Sequence, residues 1–174
     1  MKRLLIFFVI LTFTLSLVSC KENSKVNYLS YQAYPFDAHG ILTFDGTEYE
    51  VFVTVQRAGD IILKFVKPEA LSNMIFELNE GKVTVKTGNV TQTLNDGGYS
   101  ASEGILLAAQ LFSISGKSFS GAGIITENGV KYNVAEYKVN NGNVSVYIQN
   151  GLSFPEKLKA TLNGHEFTFL FMNE

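Results

Sequence analysis

Residues suited to metal binding or acid–base chemistry are few in this sequence. His39 and His165 are the only histidines, and Cys20 is the only cysteine. A zinc site needs several converging ligands, and no cluster of Cys, His, Asp or Glu with ligand spacing surrounds either histidine. We therefore expect no metal and no cofactor, and we interpret His39 as a polar strand residue and His165 as a residue that follows a turn.

Carboxylates and serines offer the other routes to catalysis. Glu48 and Glu50 have the chemistry of a glycosidase carboxylate pair, but they lie two apart on the polar face of a predicted strand, where solvation accounts for them. The segment Gly-Lys-Ser-Phe-Ser-Gly at residues 116–121 has no nucleophile elbow, and it lacks the first glycine of a phosphate-binding loop. The sequence thus predicts a protein that is not an enzyme.

The first twenty residues have the organisation of an export signal. Lys2 and Arg3 precede an apolar run of about 14 residues, and small residues lead to Cys20. A helix that spans a membrane takes roughly 20 apolar residues, so the run is short for a transmembrane segment. A charged head, a short apolar stretch and small residues at the exit predict a signal peptide.

The tetrapeptide Leu-Val-Ser-Cys at residues 17–20 resembles the lipobox of bacterial lipoproteins. The resemblance implies a lipoprotein signal peptide at residues 1–19 and a diacylglycerol on the Cys20 thiol, which is then the lipid attachment site. It places the protein on the outer face of the cytoplasmic membrane. Residues 20–33 would be the lipidated cysteine and a short tether, and residues 34–174 the folded domain.

Composition excludes some partners of the mature chain. Removal of residues 1–19, which include Lys2 and Arg3, leaves 12 basic and 16 acidic side chains and a net charge of −4. The lysines are scattered, whereas binding of nucleic acid requires a basic patch. With Cys20 lipidated, the domain has no disulfide and depends on its core. The whole chain has 14 Phe and 8 Tyr, and the 11 Phe and 8 Tyr that follow residue 19 can contribute apolar area to it.

Alternation of apolar and polar residues predicts an antiparallel sheet of about ten strands. Apolar residues recur at every second position in residues 49–55, 61–65, 74–78, 144–148, 158–162 and 167–171. Such strands are buried on one face and solvated on the other, as in antiparallel sheets. Asp45-Gly46, Asn128-Gly129 and Asn163-Gly164 are typical of tight hairpin turns.

One segment departs from this alternation and predicts a helix near residues 101–114. Ser100 and Glu103 have the spacing of a capping box, and the residues that follow are apolar on most sides. A helix this apolar has to be covered. We therefore expect a mostly β (α+β) fold, in which a strongly curved antiparallel sheet, or half-barrel, holds one apolar helix on its concave face.

The strand and turn motifs resemble those of the LolA-like superfamily of lipoprotein carriers and lipid-binding lipoproteins. Residues 40–49, 62–71 and 76–83 carry the resemblance together with the apolar helix. Within the superfamily, the sequence resembles Gram-positive lipoproteins of clostridial type, and the resemblance covers about residues 34–172. The resemblance implies a LolA-like β domain that binds a lipid between sheet and helix.

Two functions are open from the sequence. The first is a non-catalytic lipoprotein that binds a lipid or acyl chain in the hollow between sheet and helix. Its expected lining residues are Ile105, Leu107, Ala108, Leu111, Phe112, Phe76, Phe167 and Phe169. The second is a structural or regulatory lipoprotein whose outer surface binds a protein partner such as a cell-wall enzyme, and Phe52 on a polar strand face favours it. The expected partners are the membrane and either a lipid or an envelope protein, with the chain as a monomer.

Overall fold

The structure is a computed structural model that describes residues 26–94 and 100–172. The predicted signal peptide, Cys20 and the first part of the predicted tether lie outside this range. The side chain of Ser100, and with it the predicted capping box, also lies outside the description.

Eleven β-strands and one α-helix form the described part of the chain. The strands are β1 (Phe36–Phe44), β2 (Thr47–Arg57), β3 (Asp60–Lys67), β4 (Met74–Asn79), β5 (Lys82–Thr87), β6 (Val90–Leu94), β7 (Phe119–Glu127), β8 (Val130–Val139), β9 (Gly142–Gln149), β10 (Lys157–Leu162) and β11 (His165–Phe171). The helix α1 (Ser100–Gln110) lies between β6 and β7 in the chain. Short 3-10 turns cover Ser30–Gln32, Glu69–Leu71 and Gly116–Ser118.

All eleven strands belong to one open antiparallel sheet. Their order is β6-β5-β4-β3-β2-β1-β11-β10-β9-β8-β7. The first and last strands pair at its centre, while β6 and β7 form its two edges. The predicted fold class is confirmed: the protein is mostly β, with a curved sheet that does not close and a single helix in the described chain. The sheet has eleven strands, in agreement with the predicted count of about ten.

The hairpin turns follow the predicted dipeptides. In Asp45-Gly46, Asn128-Gly129 and Asn163-Gly164 both residues have positive φ, from 44° to 84°. Positive φ at both central positions is the mark of the type I′ turn, whose twist matches that of the flanking strands. These turns set the register that puts every apolar row on the same face of the sheet.

One face of the sheet forms the core with α1. Val51, Val53 and Val55 of β2 are fully buried, and Phe167 and Phe169 of β11 are at most 2% exposed. The helix lies against β4 and β5, and its buried residues join the same apolar cluster as the strands. The predicted placement of the helix on the apolar side of the curved sheet is therefore confirmed.

The centre of the core requires a glycine. A Cβ added to Gly40 of β1 would lie 2.3 Å from the Leu170 carbonyl oxygen and 2.6 Å from Cζ of Phe169. The Phe169 ring occupies that space and meets Phe112 edge-on, with ring centroids 5.0 Å apart. The missing side chain of Gly40 thus lets β11 place an aromatic ring under the end of the helix.

Part of the segment before the predicted domain boundary at residue 34 packs against the core. Tyr31, assigned to the tether, is 2% exposed, and its hydroxyl donates to the Leu111 carbonyl at 3.0 Å. Its ring packs against Phe36 and Phe171 at 5.8 and 5.9 Å. The prediction missed this because a single tyrosine has no periodicity, although its ring fills the core and its hydroxyl satisfies a carbonyl just beyond α1.

We predict that Leu111→Asp destabilises the fold severely. Leu111 is fully buried, so the substitution would leave an unpaired charge in the core and should lower the free energy of unfolding by about 4 kcal/mol or more. Leu152→Asp is the matched control, because Leu152 is 56% exposed and should change stability by less than about 0.5 kcal/mol. Urea unfolding of both variants measures the difference, and equal midpoints would place residue 111 outside the core.

Candidate functional site

An apolar cavity lies between α1 and the strands on one side of the sheet centre. Its volume is about 210 Å³. The residues that line it are Leu42, Phe44, Tyr49, Phe65, Leu71, Phe76, Gly104, Ile105, Ala108 and Phe167. Among these described lining residues, Tyr49 is the only one with a polar side-chain atom. The cavity therefore offers dispersion contacts and exclusion of water, but almost no hydrogen bonding.

Two groups of aromatic rings form its walls. On one side Phe44 stacks on Phe167, with ring centroids 4.8 Å apart. On the other side Phe65 meets Tyr49 and Phe76 edge-on, at 5.5 and 5.3 Å. Alternation along β1 to β4 and β11 directs these rings to the apolar face of the sheet. The packing of ring against ring keeps the walls apart, because neither group can collapse without losing its own contacts.

Small residues of α1 leave the space between these walls. Gly104 and Ala108 are one helical turn apart and therefore lie on the same side of the helix. A Cβ added to Gly104 would be 3.5 Å from the Phe44 ring, an ordinary contact distance. Ala108 is 1% exposed, so the volume next to it is internal. A larger residue at either position would fill the cavity from the helix side.

The mouth of the cavity lies where the lining residues are partly exposed. Phe44, Tyr49, Leu71 and Gly104 are half-buried, whereas Ile105 and Ala108 are buried. Among the described residues, this arrangement opens the cavity at the N-terminal side of α1 and closes it toward the C-terminal side. An apolar group could therefore enter end-first and remain attached to a larger molecule outside.

Polar side chains border the mouth beside Phe44. The His165 ring lies 5.4 Å from the Phe44 ring, and its Nδ1 is 2.6 Å from Oδ2 of Asp45. The hydrogen bond from His165, together with one from the Glu166 amide, holds the pKa of the Asp45 carboxyl below its usual range. Asn163 donates to Glu103 at 3.2 Å near the start of α1. The rim is thus charged and hydrogen-bonding, while the interior is apolar.

The predicted lining residues divide into two groups. Ile105, Ala108, Phe76 and Phe167 line the cavity. The other predicted residues, Leu107, Leu111, Phe112 and Phe169, are at most 2% exposed and pack in the core away from the cavity. Helical period places Ile105 and Leu107 on different sides of α1, but in a helix that is apolar on most sides it does not show which side meets the cavity.

Several lining residues were missed by the sequence analysis. Leu42, Phe44, Tyr49 and Phe65 belong to the apolar rows of β1, β2 and β3, and Leu71 lies in the turn after β3. The signal that could have identified them is the alternation itself, which predicts a core face. Alternation does not show that this part of the core face lies opposite Gly104 and Ala108.

The second histidine belongs to the outer face of the sheet. His39 Nε2 is 3.0 Å from Oε1 of Glu50, and Lys67 Nζ is 2.7 Å from Oε2 of the same carboxylate. Hydrogen bonds from Lys67 and His39 lower the pKa of the Glu50 carboxyl. Within residues 26–94 and 100–172 no three His, Cys, Asp or Glu residues converge as metal ligands would.

An exposed apolar patch adjoins His39 on that outer face. The Phe52 ring stacks on the imidazole with centroids 4.2 Å apart, yet Phe52 remains 41% exposed. Met172 and Phe154, 43% and 47% exposed, line the same shallow depression of about 280 Å³. The patch is the part of the outer face that the alternative function would use.

A wider groove lies at the other end of the concave face, beside β7. Its volume is about 790 Å³. Val26 and Leu29 form one wall, and Phe119 and Ile124 of β7 contribute to the other. Asparagine and tyrosine side chains also line it, so the groove is more polar than the cavity beneath α1. No helix of the described chain is both long and apolar enough to span a bilayer.

Comparison with known proteins finds similarity at the level of structure. No protein-family model matches the chain, and no curated protein matches its sequence. A LolA superfamily protein from Nitrosomonas europaea is similar, with 11% identity, 80% of this chain and 84% of that chain covered, and a TM-score of 0.42.

Two further solved structures show comparable similarity. Lipoprotein LppX of Mycobacterium tuberculosis has 12% identity, covers 79% of this chain and 85% of its own, and has a TM-score of 0.40. A DUF1329 family protein from Desulfovibrio piger has 7% identity, coverage of 83% and 87%, and a TM-score of 0.45. The function proposed below therefore depends on the residues of this chain.

We predict that Ala108→Leu is tolerated because the cavity accepts the added atoms. In a filled core the larger side chain would cost about 1–3 kcal/mol of stability, whereas here we expect a change below about 1 kcal/mol. Ala109→Leu is the matched control: Ala109 is 2% exposed but does not line the cavity, and it should show the full cost. Thermal and urea unfolding compare the two variants, and equal destabilisation would mean that the space beside Ala108 is closed.

Proposed function

We propose that this protein is a membrane-anchored, non-catalytic lipoprotein of the cell envelope that binds one apolar group, such as the end of an acyl chain, beneath α1. The observation that carries the proposal is the cavity of about 210 Å³ with an apolar interior and an open mouth. Native cores are close-packed, so an open apolar space beside a well-filled core favours a binding role. The resemblance to LolA-like lipoproteins implies the same class of ligand.

The size of the cavity limits the ligand. Pockets for sizeable ligands measure roughly 300–1,000 Å³, and this one is smaller. It therefore suits one chain end and not several whole acyl chains. Burial of about six methylene groups would contribute about 5 kcal/mol, at ~0.8 kcal/mol each. Association costs of similar size oppose this gain, so we expect modest affinity unless the polar rim also contacts the ligand.

The geometry of the rim favours an amphipathic ligand. A molecule with its apolar end beneath α1 would carry its polar end past Phe44 to His165 and Glu103. These side chains can donate and accept hydrogen bonds there. The proposed role is binding without catalysis, since the described lining residues provide one phenol, that of Tyr49, and no acid, base or nucleophile paired with it.

The proposed anchor is a lipid on Cys20. Five residues lie between Cys20 and Val26, the first described residue, and even a fully extended stretch from one to the other reaches only about 20 Å. Since residues 28–31 already pack against the domain, the folded domain as a whole would stay close to the membrane surface. Such an anchor would hold the protein on the outer face of the cytoplasmic membrane.

A second candidate function is binding of an envelope protein through the outer face. The exposed Phe52, Met172 and Phe154 favour it, because a cluster of partly exposed apolar side chains marks interaction surfaces. This function would not involve the cavity. The two candidates can therefore be separated by substitutions at residues that belong to only one of the sites.

We predict saturable binding of a short acyl probe that depends on Ala108. A fluorescent eight-carbon fatty acid, titrated into a chain starting at Lys21, should bind the unsubstituted protein. Ala108→Leu should weaken binding at least about tenfold, a loss of about 1.4 kcal/mol, by filling the cavity. Fluorescence titration and displacement by unlabelled fatty acid provide the measurement.

Phe52→Ser is the control for this titration, because Phe52 lies on the opposite face and should leave probe affinity unchanged. Loss of binding with Phe52→Ser but not with Ala108→Leu would move the site to the outer face. If none of the three proteins bound the probe saturably, the acyl-binding function would be contradicted.

We predict that Cys20 carries the lipid anchor. In cells that process lipoproteins, the chain should incorporate labelled fatty acid and fractionate with membranes, and Cys20→Ala should abolish the label. Ser19→Ala is a matched control that keeps a small residue before the cysteine and should retain labelling. Labelling that persists in Cys20→Ala would exclude this cysteine as the attachment site.

A further inference from the structure

Strand β7 is an edge strand without the usual protection. It is the last strand of the sheet, and β8 is its only strand partner in the described chain. Its sequence, Phe-Ser-Gly-Ala-Gly-Ile-Ile-Thr-Glu, has no proline and no charge before its last residue. Edge strands in monomeric proteins usually carry charges or prolines that prevent pairing with another chain. The unprotected edge of β7 is therefore available for pairing.

The apolar residues of β7 are exposed on both of its faces. Ile124, on the concave side, is 69% exposed, and Ile125, on the outer side, is 39% exposed. The single charged residue of β7, Glu127, forms ion pairs with two lysines of β10. Its carboxylate oxygens lie 2.5 Å from Lys157 Nζ and 2.9 Å from Lys159 Nζ. These ion pairs lower the pKa of the Glu127 carboxyl to about 2. No charge of the strand thus opposes an approaching apolar strand.

The hairpin after β7 determines which backbone groups face outward. Asn128 and Gly129 form a two-residue turn with φ of 51° and 82°, closed by the pair Glu127 and Val130. The closing pair of such a turn is hydrogen-bonded, and bonded pairs alternate with non-bonded pairs along the ladder. Ile125 and Gly123 therefore bond to β8, while Ile124 and Ala122 direct their N–H and C=O groups to the free edge.

We propose that β7 pairs antiparallel with β7 of a second copy of this chain, on a two-fold axis at Gly123. In this register Ala122 of each copy lies opposite Ile124 of the other, and both residues have outward-facing backbone groups. Gly121 of each copy likewise lies opposite Ile125 of the other copy. Each large side chain thus meets a small residue across the new ladder, as stable cross-strand packing requires.

The surface around Gly121 supports this register. A depression of about 290 Å³ on the outer face is lined by Gly121, Gly123 and Ile125 of β7 together with Val134 and Glu136 of β8. An added Cβ at Gly121 or Gly123 would meet nothing within 4 Å. Ile125 of the second copy, opposite Gly121, would cover this depression.

β7 of a second copy is a better partner for β7 than β6, the other edge strand of the sheet. β6 (Val90–Leu94) has five residues, against nine in β7. A pairing of β6 with β7 would be head-to-tail and would extend without closing, whereas pairing of β7 with itself closes as a dimer. The short ladder buries less than a standard interface, so the dimer should form in a concentration-dependent way. This inference replaces the sequence-based expectation of a monomer.

A cysteine on the two-fold axis tests the register. Gly123 should face its own copy as a non-hydrogen-bonded pair with Cα atoms about 4.5 Å apart, within the range of a disulfide. Full-length Gly123→Cys, expressed with export and treated with a mild oxidant, should therefore give a dimer on a non-reducing gel that a reductant converts to monomer. Wild type, which carries Cys20 alone, sets the background.

Gly121→Cys is the matched control, because it adds the same thiol two residues away on the same face. In the proposed register the two Gly121 positions are about 14 Å apart, too far for a disulfide. Ile124→Lys added to Gly123→Cys should reduce cross-linking at least tenfold by placing a charge in the ladder. Because Ile124 is 69% exposed, this substitution leaves the fold of the single copy unchanged. Equal cross-linking by Gly121→Cys and Gly123→Cys, no cross-linking by Gly123→Cys, or no effect of Ile124→Lys would overturn the proposal.

Discussion

The chain has to pass from one edge of an open sheet to the other, and this requirement organises the structure. β6 and β7 are consecutive strands, yet they lie at opposite edges. Eleven strands spaced about 4.8 Å apart would be about 50 Å across if flat, whereas a helix of eleven residues is about 16 Å long. The connection that contains α1 runs from residue 95 to residue 118, so only 13 of its residues lie outside the helix, and curvature of the sheet shortens the distance that they have to cross. It crosses on the apolar face, where the helix also covers side chains that would otherwise contact water.

One helix cannot cover the whole of that face, and the distribution of side-chain sizes decides what remains open. Leu107, Leu111 and Phe112 fill the centre together with Phe169, and Tyr31 completes the core beyond the end of the helix. Toward the start of α1, Gly104 and Ala108 are too small to reach the aromatic walls, which leaves the cavity. At the β7 end no helix covers the strands of the described chain, which leaves the groove and the exposed Ile124. The cavity, the groove and the free edge thus share one cause.

The sequence predicted the elements of this fold better than their mutual positions. Alternation located the strands, and dipeptides such as Asn128-Gly129 located the turns, because both signals are local. The packing of Tyr31 against Phe171 joins residues far apart in sequence, and no local pattern contains it. The lining of the cavity shows the same limit. Ile105 and Leu107 are both apolar residues of one helix, and only the register of the helix against β4 separates a lining residue from a core residue.

Native mass spectrometry measures most directly whether the cavity beneath α1 holds an apolar ligand. The chain should be prepared with Cys20→Ala, so that no mass from a covalent anchor is present, and examined before and after extraction with organic solvent. We expect a second species that is heavier by the mass of one single-chain amphipathic molecule, that extraction removes and that Ala108→Leu lacks. A single species at the mass of the bare chain, in protein exposed to cellular lipids and never extracted, would contradict it.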